Sequence, residues 1–374
     1  MSASRELVES ICAAVRDERG ELDVLIDEAV RRLAPLATTA EQCELRRAAL
    51  AQMAGLGALD ALVANPAIDE VLVNGDEVWI DRGGRLEPAG RLTGTSVEQV
   101  IERILAPIGR RVDRTTPIVD ARLADGARVC AVVPPVAVNG STLSIRRFSD
   151  DVRSLTDFTD AAGVETLAEV IAARCNVVVC GATSSGKTSL LAAIVDSITE
   201  DERLLVLEDT TELPCRAPHA VRLEARPATA DGVQAVSLDD LVRAALRLRP
   251  DRLVVGEVRS TECLALVQAM NTGHDGSLST CHANGPVDAL LRLESLVLQA
   301  APQWPLAAVR QQLARSLDVI VHVARTGRAR RVTAVGEVVR PEPGERAAPP
   351  EVRLLGRERN GTFDRLAPLG RSRR

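Results

Sequence analysis

The chain reads as an α/β protein in two parts: a smaller α/β region preceded by helices, and a larger region built on a parallel sheet. Three observations predict this. Beyond Ala161, apolar helical stretches alternate with short runs of valine and leucine, the pattern of βαβ units. Between about 55 and 148 the apolar runs are short, β-type and separated by Asn-Gly and Gly-Gly turn chemistry. At 374 residues and 46% hydrophobic, the chain is too long for one ordinary core and long enough for two domains with additions.

Residues 1–54 are rich in Ala, Leu, Glu and Arg, and Leu7, Ile11, Val15, Leu22, Leu25 and Ile26 form a helix-like apolar stripe. Two or three amphipathic helices are expected, a bundle for packing or for oligomer contacts. The region 55–150 is expected to be an α/β domain. Its strands are "EVLVNG" and "EVWIDRGG", then a helix "SVEQVIERILAPIG", then strands "ARVCAVVPP" and "STLSIRRF". An acidic stretch comes next, and 151–160 is read as a linker. The domain 161–340 opens with the helix "LAEVIAARC", the strand "NVVVCG", a glycine-rich loop, the helix "SLLAAIVDSI" and the strand "RLLVLED". From 341 to 374 the sequence is rich in Pro and Arg and is expected to form a loosely ordered tail. Thirteen arginines against six acids from Arg325 onward suit either an acidic partner or anionic lipid, but a solvated tail is the simpler reading.

Composition narrows the function classes. The net charge is -6, Tyr is absent, and there are only three Phe and two Trp. This disfavours a nucleic-acid binder, which needs basic grooves and aromatic platforms. Eight cysteines (12, 43, 130, 175, 180, 215, 263 and 281) contain no CxxC pair, so neither a zinc ribbon nor a disulfide framework is suggested. The longest apolar runs fall far short of the ~20 residues that span a bilayer. No charged-then-apolar leader is visible at the start. The chain is therefore expected in the cytoplasm, reaching a membrane through partners.

The stretch "GATSSGKTSL" holds the only lysine in the chain; of the 46 Lys and Arg residues every other one is arginine. Gly181-x4-Gly186-Lys187-Thr188 matches the Walker A pattern and sits between an apolar strand and an apolar helix, the context that gives the motif its meaning. The loop residues Gly181, Ala182, Thr183, Ser184, Ser185 and Gly186, with Lys187, Thr188 and Ser189, are the ATP-binding candidates. Glycines let backbone N–H groups curl around phosphate oxygens at the positive end of the new helix. Lys187 would reach the β and γ phosphates as a compact charge, and the Thr188 hydroxyl would ligate Mg²⁺. An arginine fork is larger and cannot take the lysine's place, which explains why this one lysine persists.

Hydrolysis also needs a positioned water and compensation of charge around the γ-phosphate. Three later segments offer this. "RLLVLEDTTEL" ends a strand in Glu208 and Asp209, where parallel strands meet their ligands; the plain alternative is surface acids capping the next turn. "RPDRLVVGEVRS" is an apolar strand followed by Gly256 and Glu257, a Walker B-like strand whose glutamate can orient or deprotonate water, or hold the metal through water. Asp251, at the other end of that strand, reads as a turn residue. "MNTGHDGSLSTCHANG" holds His274 and His282, whose spacing is not that of a helical metal pair, so structural and functional roles both stay open. His219 and His322 have no such setting and read as structural.

Taken together, "GATSSGKTS", "LEDTTEL", "LRLRPDRLVVGEVR" and "NTGHDGSLSTCHANG", in that order and spacing, resemble the Walker A, Asp box, Walker B and His box of the secretion-superfamily traffic ATPases. These are the motors of type II and type IV secretion and of type IV pili. The resemblance covers about residues 55–340. Within it, "GLGALDALVANPAIDEVLVNGDEVWIDRGGRL" and "VDARLADGARVCAVVPP" are most similar to the CpaF/TadA branch, the tight-adherence pilus ATPases. The tetracysteine zinc motif of the type II secretion branch is absent from the sequence.

The resemblance implies a RecA-like P-loop domain preceded by a smaller α/β N-terminal domain and N-terminal helices. It implies ATP and Mg²⁺ as cofactors, with Lys187 and Thr188 as phosphate and magnesium residues. By the same token Glu208 is the Asp-box acid near the metal, Glu257 the Walker B glutamate and general base, and His282 the sensor of the γ-phosphate, with His274 supporting its loop. It implies a homohexamer in which Arg128, Arg146 and Arg147, with Arg122 behind them, reach a neighbour's nucleotide; their alternative is salt bridging within a chain crowded with arginine. It also implies a place at the inner face of the cell membrane, beside integral-membrane platform proteins that handle pilin-like cargo. A motor for conjugative DNA transfer or protein secretion, or a nucleotide-switched hub with little turnover, are the rival readings.

Overall fold

The computed structural model describes residues 2–15, 18, 20, 22–53, 55–123, 126–147, 153–228, 232–327, 329–340 and 351–371. The chain divides into two units, Met1–Phe148 and Ser149–Arg374.

The first unit opens with helices α1 (Ser2–Val15), α2 (Leu22–Leu33) and α3 (Thr39–Met53). Ile11, Val15, Ile26, Val30, Leu45 and Ala49 from the three meet in one apolar cluster, so the stripe seen in the sequence is the face that packs. After the short α4 (Asp60–Val63) come strands β1 (Glu70–Asn74), β2 (Glu77–Asp81) and β3 (Leu86–Arg91), helix α5 (Val97–Leu105), and strands β4 (Ile118–Arg122), β5 (Arg128–Val132) and β6 (Thr142–Arg146). Among the described residues these make a six-stranded antiparallel sheet, ordered β3-β2-β1-β6-β5-β4. Helix α5 starts at a capping box, Ser96 with Gln99. Its Val97, Val100, Ile101 and Ile104 pack with Val71, Val73, Val129, Leu143 and Ile145. Alternation then sends Arg128 and Arg146 to the opposite face of the sheet.

The second unit runs α6 (Ala161–Ala172), β7 (Val177–Gly181), α7 (Lys187–Asp196), β8 (Leu204–Glu208), β9 (Ala220–Glu224), α8 (Leu238–Ala245), β10 (Arg252–Val255), α9 (Glu262–Asn271), β11 (Leu278–His282), α10 (Pro286–Ala300), α11 (Leu306–Ser316), β12 (Val319–Thr326), β13 (Ala329–Val338), β14 (Val352–Arg359) and β15 (Thr362–Arg365). Among the described residues the sheet has nine strands, ordered β15-β14-β13-β12-β7-β11-β10-β8-β9. The run from β12 to β9 is parallel, and β13, β14 and β15 add an antiparallel meander. Val177 and Val179 face one core with residues of α6 and α7. Val178 and Cys180 face the other, with residues of α8 to α11. Burial on both faces is why the central strands read as unbroken apolar runs.

Two expectations need correction. The Pro-rich residues 341–350 lie outside the described residues, but the segment beyond them is sheet and not a loose tail. Leu355 of β14 and Phe363 of β15 are buried in the α6/α7 core, and β14 pairs with β13 along five positions. A compositional reading weighs Arg and Pro and cannot see a partner strand across a gap. Likewise, of the stretch 151–160 read as a linker, residues 151 and 152 lie outside the described residues, while Leu155 and the fully buried Phe158 belong to the core of the second unit.

Candidate functional site

Strand β7 is buried along its whole length and ends at Gly181. A methyl group there would lie 2.3 Å from the Val323 carbonyl oxygen and 2.5 Å from Ser185 Oγ, so the position admits glycine alone. Gly186 ends the loop at φ +99°, and a Cβ there would meet Arg330 Cδ at 2.5 Å. Helix α7 then begins at Lys187, and the N–H groups of its first turn, which have no partner within the helix, converge on the loop's concave side. Lys187 is 7% exposed. Its Nζ donates to the Ala182 carbonyl at 3.0 Å and lies 3.3 Å from His282 Nε2. Thr183 Oγ1 is 3.1 Å from the same nitrogen. Burial lowers the Lys187 pKa, with the Glu257 carboxylate acting in the opposite direction.

Sheet order supplies the neighbours. β11 lies directly beside β7 with His282 opposite Gly181, and β10 lies beside β11, delivering Glu257 two residues after its end. His282 Nδ1 is hydrogen-bonded to Glu257 Oε1, and Glu257 Oε2 accepts from Arg259 Nη2 at 2.5 Å. Thr280 Oγ1 donates to the Gly256 carbonyl at 2.8 Å and ties the two strand ends together. Lys187, His282, Glu257 and Arg259 thus form one continuous polar chain. Burial works to raise the Glu257 pKa, but the hydrogen bond and charge of Arg259, helped by His282, hold it below the usual carboxylate value. The Glu257 carboxylate is therefore kept ionised.

Glu208 ends β8 and is 4% exposed. Its Oε1 accepts the backbone N–H groups of Glu212 at 2.9 Å and Leu213 at 2.8 Å, and Oε2 lies 3.8 Å from Arg222 Nη2. Burial raises its pKa in spite of those donors. Its side chain packs against Gly256, where a Cβ would lie 3.0 Å from Glu208 Cγ. Its visible work is to brace the turn after β8 next to Glu257. Thr188, the second residue of α7, is half-buried, and Ser189 Oγ accepts from Arg330 Nη1 at 3.3 Å.

The structure does not bring His274 to this cluster. It precedes β11 and His282 ends it, so a strand rising about 3.3 Å per residue separates them. His274 Nδ1 sits 3.2 Å from the Ala269 carbonyl, and its own carbonyl accepts from Ser277 Oγ at 2.7 Å. In the first unit, Arg122, Arg128 and Arg146 stand in one row across β4, β5 and β6, and Glu70 of β1 continues it. Arg147 falls outside that row: its N–H bonds to the Asp69 carbonyl and its Nη1 donates to the Asn65 carbonyl at 3.0 Å.

Sequence reasoning assigned nothing to Arg259 or Arg330. Arg259 carried a signal, its place two residues past the strand-end glutamate. Arg330 carried none, being 141 residues from Ser189.

Residues 52–349 match the family model described as type II/IV secretion system protein. A putative conjugal transfer protein of Mycobacterium tuberculosis is 39% identical over 307 residues, 78% of this chain and 87% of the relative. The probable conjugal transfer protein TrbB of Sinorhizobium fredii is 36% identical over 282 residues, covering 72% and 83%. Among solved structures, the pilus retraction motor PilT with bound ADP superposes with a TM-score of 0.54 at 20% identity, over 76% of this chain and 83% of that one. That likeness is one of fold: a RecA-like domain with an N-terminal domain.

Proposed function

The chain belongs to the type II/IV secretion system protein family, and on that premise we propose that it is a hexameric, Mg²⁺-dependent ATP hydrolase of the CpaF/TadA branch that powers assembly of a tight-adherence pilus. The observation that carries the reading is the polar chain joining the loop lysine to the strand-end glutamate through His282. Lys187 Nζ donates to the Ala182 carbonyl and lies beside His282 Nε2. Phosphate oxygens would draw Lys187 to themselves, and His282 would register the change directly on Glu257. Glu257, held ionised by Arg259 and His282, is an acceptor able to hold and aim the attacking water. Rate enhancement would then come mainly from positioning and charge compensation.

The oxygen donors at hand suit a hard divalent cation. The Thr188 hydroxyl would hold Mg²⁺ directly, and Glu257 through water. Glu208 fits a more distant place, since one of its oxygens is engaged by two backbone donors. Among the described residues no group of three or more His, Cys, Asp or Glu side chains is placed to hold a metal ion. When bound, Mg²⁺ supplies neutralisation of the β and γ oxygens.

In this reading the domains are the helical segment 1–54, the N-terminal domain that follows it, and an ATPase domain whose core takes in Leu155 and Phe158. Arg128 and Arg146, with Arg122, reach the nucleotide of a neighbouring subunit. The ring works at the inner face of the membrane on integral platform proteins, handles pilin-like cargo indirectly and touches no nucleic acid. Among the described residues no helix is long and apolar enough to cross a membrane. The names of the 36–39% identical relatives favour a second reading, a motor for conjugal transfer. Deletion of the gene separates the two by loss of surface pili or loss of plasmid transfer.

The direct test is turnover against protein concentration with oligomer mass followed in parallel. Glu257→Gln is expected to bind ATP and lose turnover by about 100-fold or more, and Lys187→Ala to lose nucleotide binding. ATP binding without turnover in an assembled wild-type ring would overturn the autonomous motor and favour a nucleotide-switched hub.

A further inference from the structure

We propose that Arg330, on the β12–β13 hairpin of the same subunit, contacts the nucleotide at its α-phosphate and thereby sets affinity for ATP and ADP alike. The inference rests on the ATP-binding reading above and assigns the end of that site which the reading leaves undescribed.

Sheet order makes the two ends of the site different. β7, which carries the loop, lies between β11 and β12. On the β11 side stand His282, Glu257 and Arg259, the groups given to the γ-phosphate and its water. On the β12 side stands the hairpin, touching the loop at both of its defining glycines. The Val323 carbonyl closes over Gly181, and the Arg330 stem closes over Gly186. The glycines therefore do more than free the backbone to curl; they make room for this hairpin.

The first turn of α7 shows the same polarity. Lys187 and Ser189 are two residues apart on a helix, about 200° around its axis. Lys187 reaches toward His282, and Ser189 reaches toward Arg330. A polyphosphate laid over this helix end, with its γ-phosphate at Lys187 and Glu257, must run its α-phosphate and nucleoside toward Ser189 and the hairpin, because the loop cradles the α and β phosphates.

Arg330 is suited to receive it. It is half-buried, its aliphatic stem packs on Gly186, and its fork is aimed by Ser189. The hairpin that carries it is fixed by antiparallel pairing of Arg325 with Arg330 and of Thr326 with Ala329. Arg325 Nε also closes on the Gly327 carbonyl at 3.1 Å. A guanidinium presents five donors in a rigid fork that matches phosphate oxygens, so a bond to Ser189 and a bond to phosphate are compatible. Supplied in cis by the strand next to the loop, this cation differs in kind from an arginine that arrives from a neighbour at the γ-phosphate.

The prediction that separates it from both a γ-phosphate sensor and a purely structural arginine concerns ADP. Because ADP and ATP share the α-phosphate, loss of Arg330 should weaken both by a similar factor, about tenfold, and raise KM more than it lowers kcat. Arg330→Gln keeps the Cβ–Cδ stem that packs on Gly186 while removing the charge, and the unfolding measurement reports whether the fold is kept; Arg330→Lys should recover part of the affinity. The experiment is equilibrium titration of the full chain with ADP and with a non-hydrolysable ATP analogue, alongside unfolding of the nucleotide-free protein. Parallel loss for both ligands with an unchanged unfolding midpoint supports the assignment. Unchanged affinities, or weakening of the ATP analogue alone, overturn it while leaving the ATPase reading intact. If the wild type binds neither ligand, both fall together.

Discussion

Arg252 lies at the start of β10, at the end of the sheet away from the phosphate loop, and is 2% exposed. Its Nε and Nη2 donate to Glu202 at 2.7 and 2.8 Å, and Nη2 also reaches the Ile171 carbonyl at 3.2 Å. Arg174 Nη1 completes the cluster on Glu202 at 2.8 Å. Gly276 is kept small by the same guanidinium: φ is +83°, and a Cβ would lie 2.6 Å from Arg252 Nη1. The Arg252 hydrogen bond, foremost, pulls the Glu202 pKa below its ordinary value against the effect of burial. A carboxylate with a depressed folded pKa contributes stability that is present above its unfolded pKa and lost as pH falls through the folded one. Glu202→Gln should therefore destabilise by about 3 kcal/mol near neutrality, because it leaves a buried cation uncompensated. The deficit relative to wild type should shrink as pH falls below about 4.5, the ordinary value for a glutamate carboxyl, as the wild-type carboxylate itself protonates. Denaturant unfolding of both proteins at pH 7 and near pH 4 checks this. An equal deficit at both values would mean that the lost bond owes nothing to charge.

Among the elements, the C-terminal hairpin of the second unit carries more of the fold than its composition suggests. Phe363 is 3% exposed, and it faces Gly356 so closely that a Cβ there would meet the ring at 2.4 Å. The Phe363 N–H donates to Asp160 Oδ2 at 2.8 Å, while Asp160 Oδ1 caps α6 through the Gly163 N–H. One carboxylate thus ties β15 to the helix it covers. Phe363→Ala should cost about 3–5 kcal/mol, measurable by denaturant unfolding of the full chain; a loss below about 1 kcal/mol would return these residues to the status of a tail. What made β14 and β15 illegible is that the partner of β14, β13, lies beyond 341–350, that β15 pairs only with β14, and that their alternation is written largely in arginine. β3 and β4 escaped for a related reason. Both are edge strands, and β3 carries Pro88 and Gly90, which a strand with one unpaired side tolerates but a local pattern reads as turn. Strands buried on both faces, such as β7, β8 and β10, were legible because nothing but apolar residues fits them. The site obeyed the same logic. Lys187, Glu257 and His282 each stand at or just past the end of such a strand, so motif order foretold their meeting. His274 shares a motif with His282 but is held at the far end of β11, since closeness in sequence along an extended strand is distance in space. Arg330 could be found only through the pairing of β12 with β7.

At the scale of the whole molecule, two separately cored units pose the question of how the first serves the second. Arg122, Arg128 and Arg146 stand in one row across their sheet, with Glu70 opposite Arg146, and the ring reading brings a neighbour's nucleotide to that row. If so, each catalytic site draws its water-aiming glutamate from one subunit and its arginine from the next, and the two losses must complement. Arg146→Ala and Glu257→Gln should each be inactive as pure assemblies. Mixed in equal amounts before assembly, a site is complete only when a subunit with intact Glu257 adjoins one with intact Arg146, so about a quarter of wild-type turnover should return if subunits mix at random. Oligomer mass must confirm that mixed rings form. Mixed rings without recovery would place Arg146 in salt bridging within its own unit, and the first unit's contribution would then have to be mechanical, with no part in the chemistry. Recovery would show that hydrolysis is a property of the interface, and therefore that a lone chain, however complete its loop, is only a nucleotide binder.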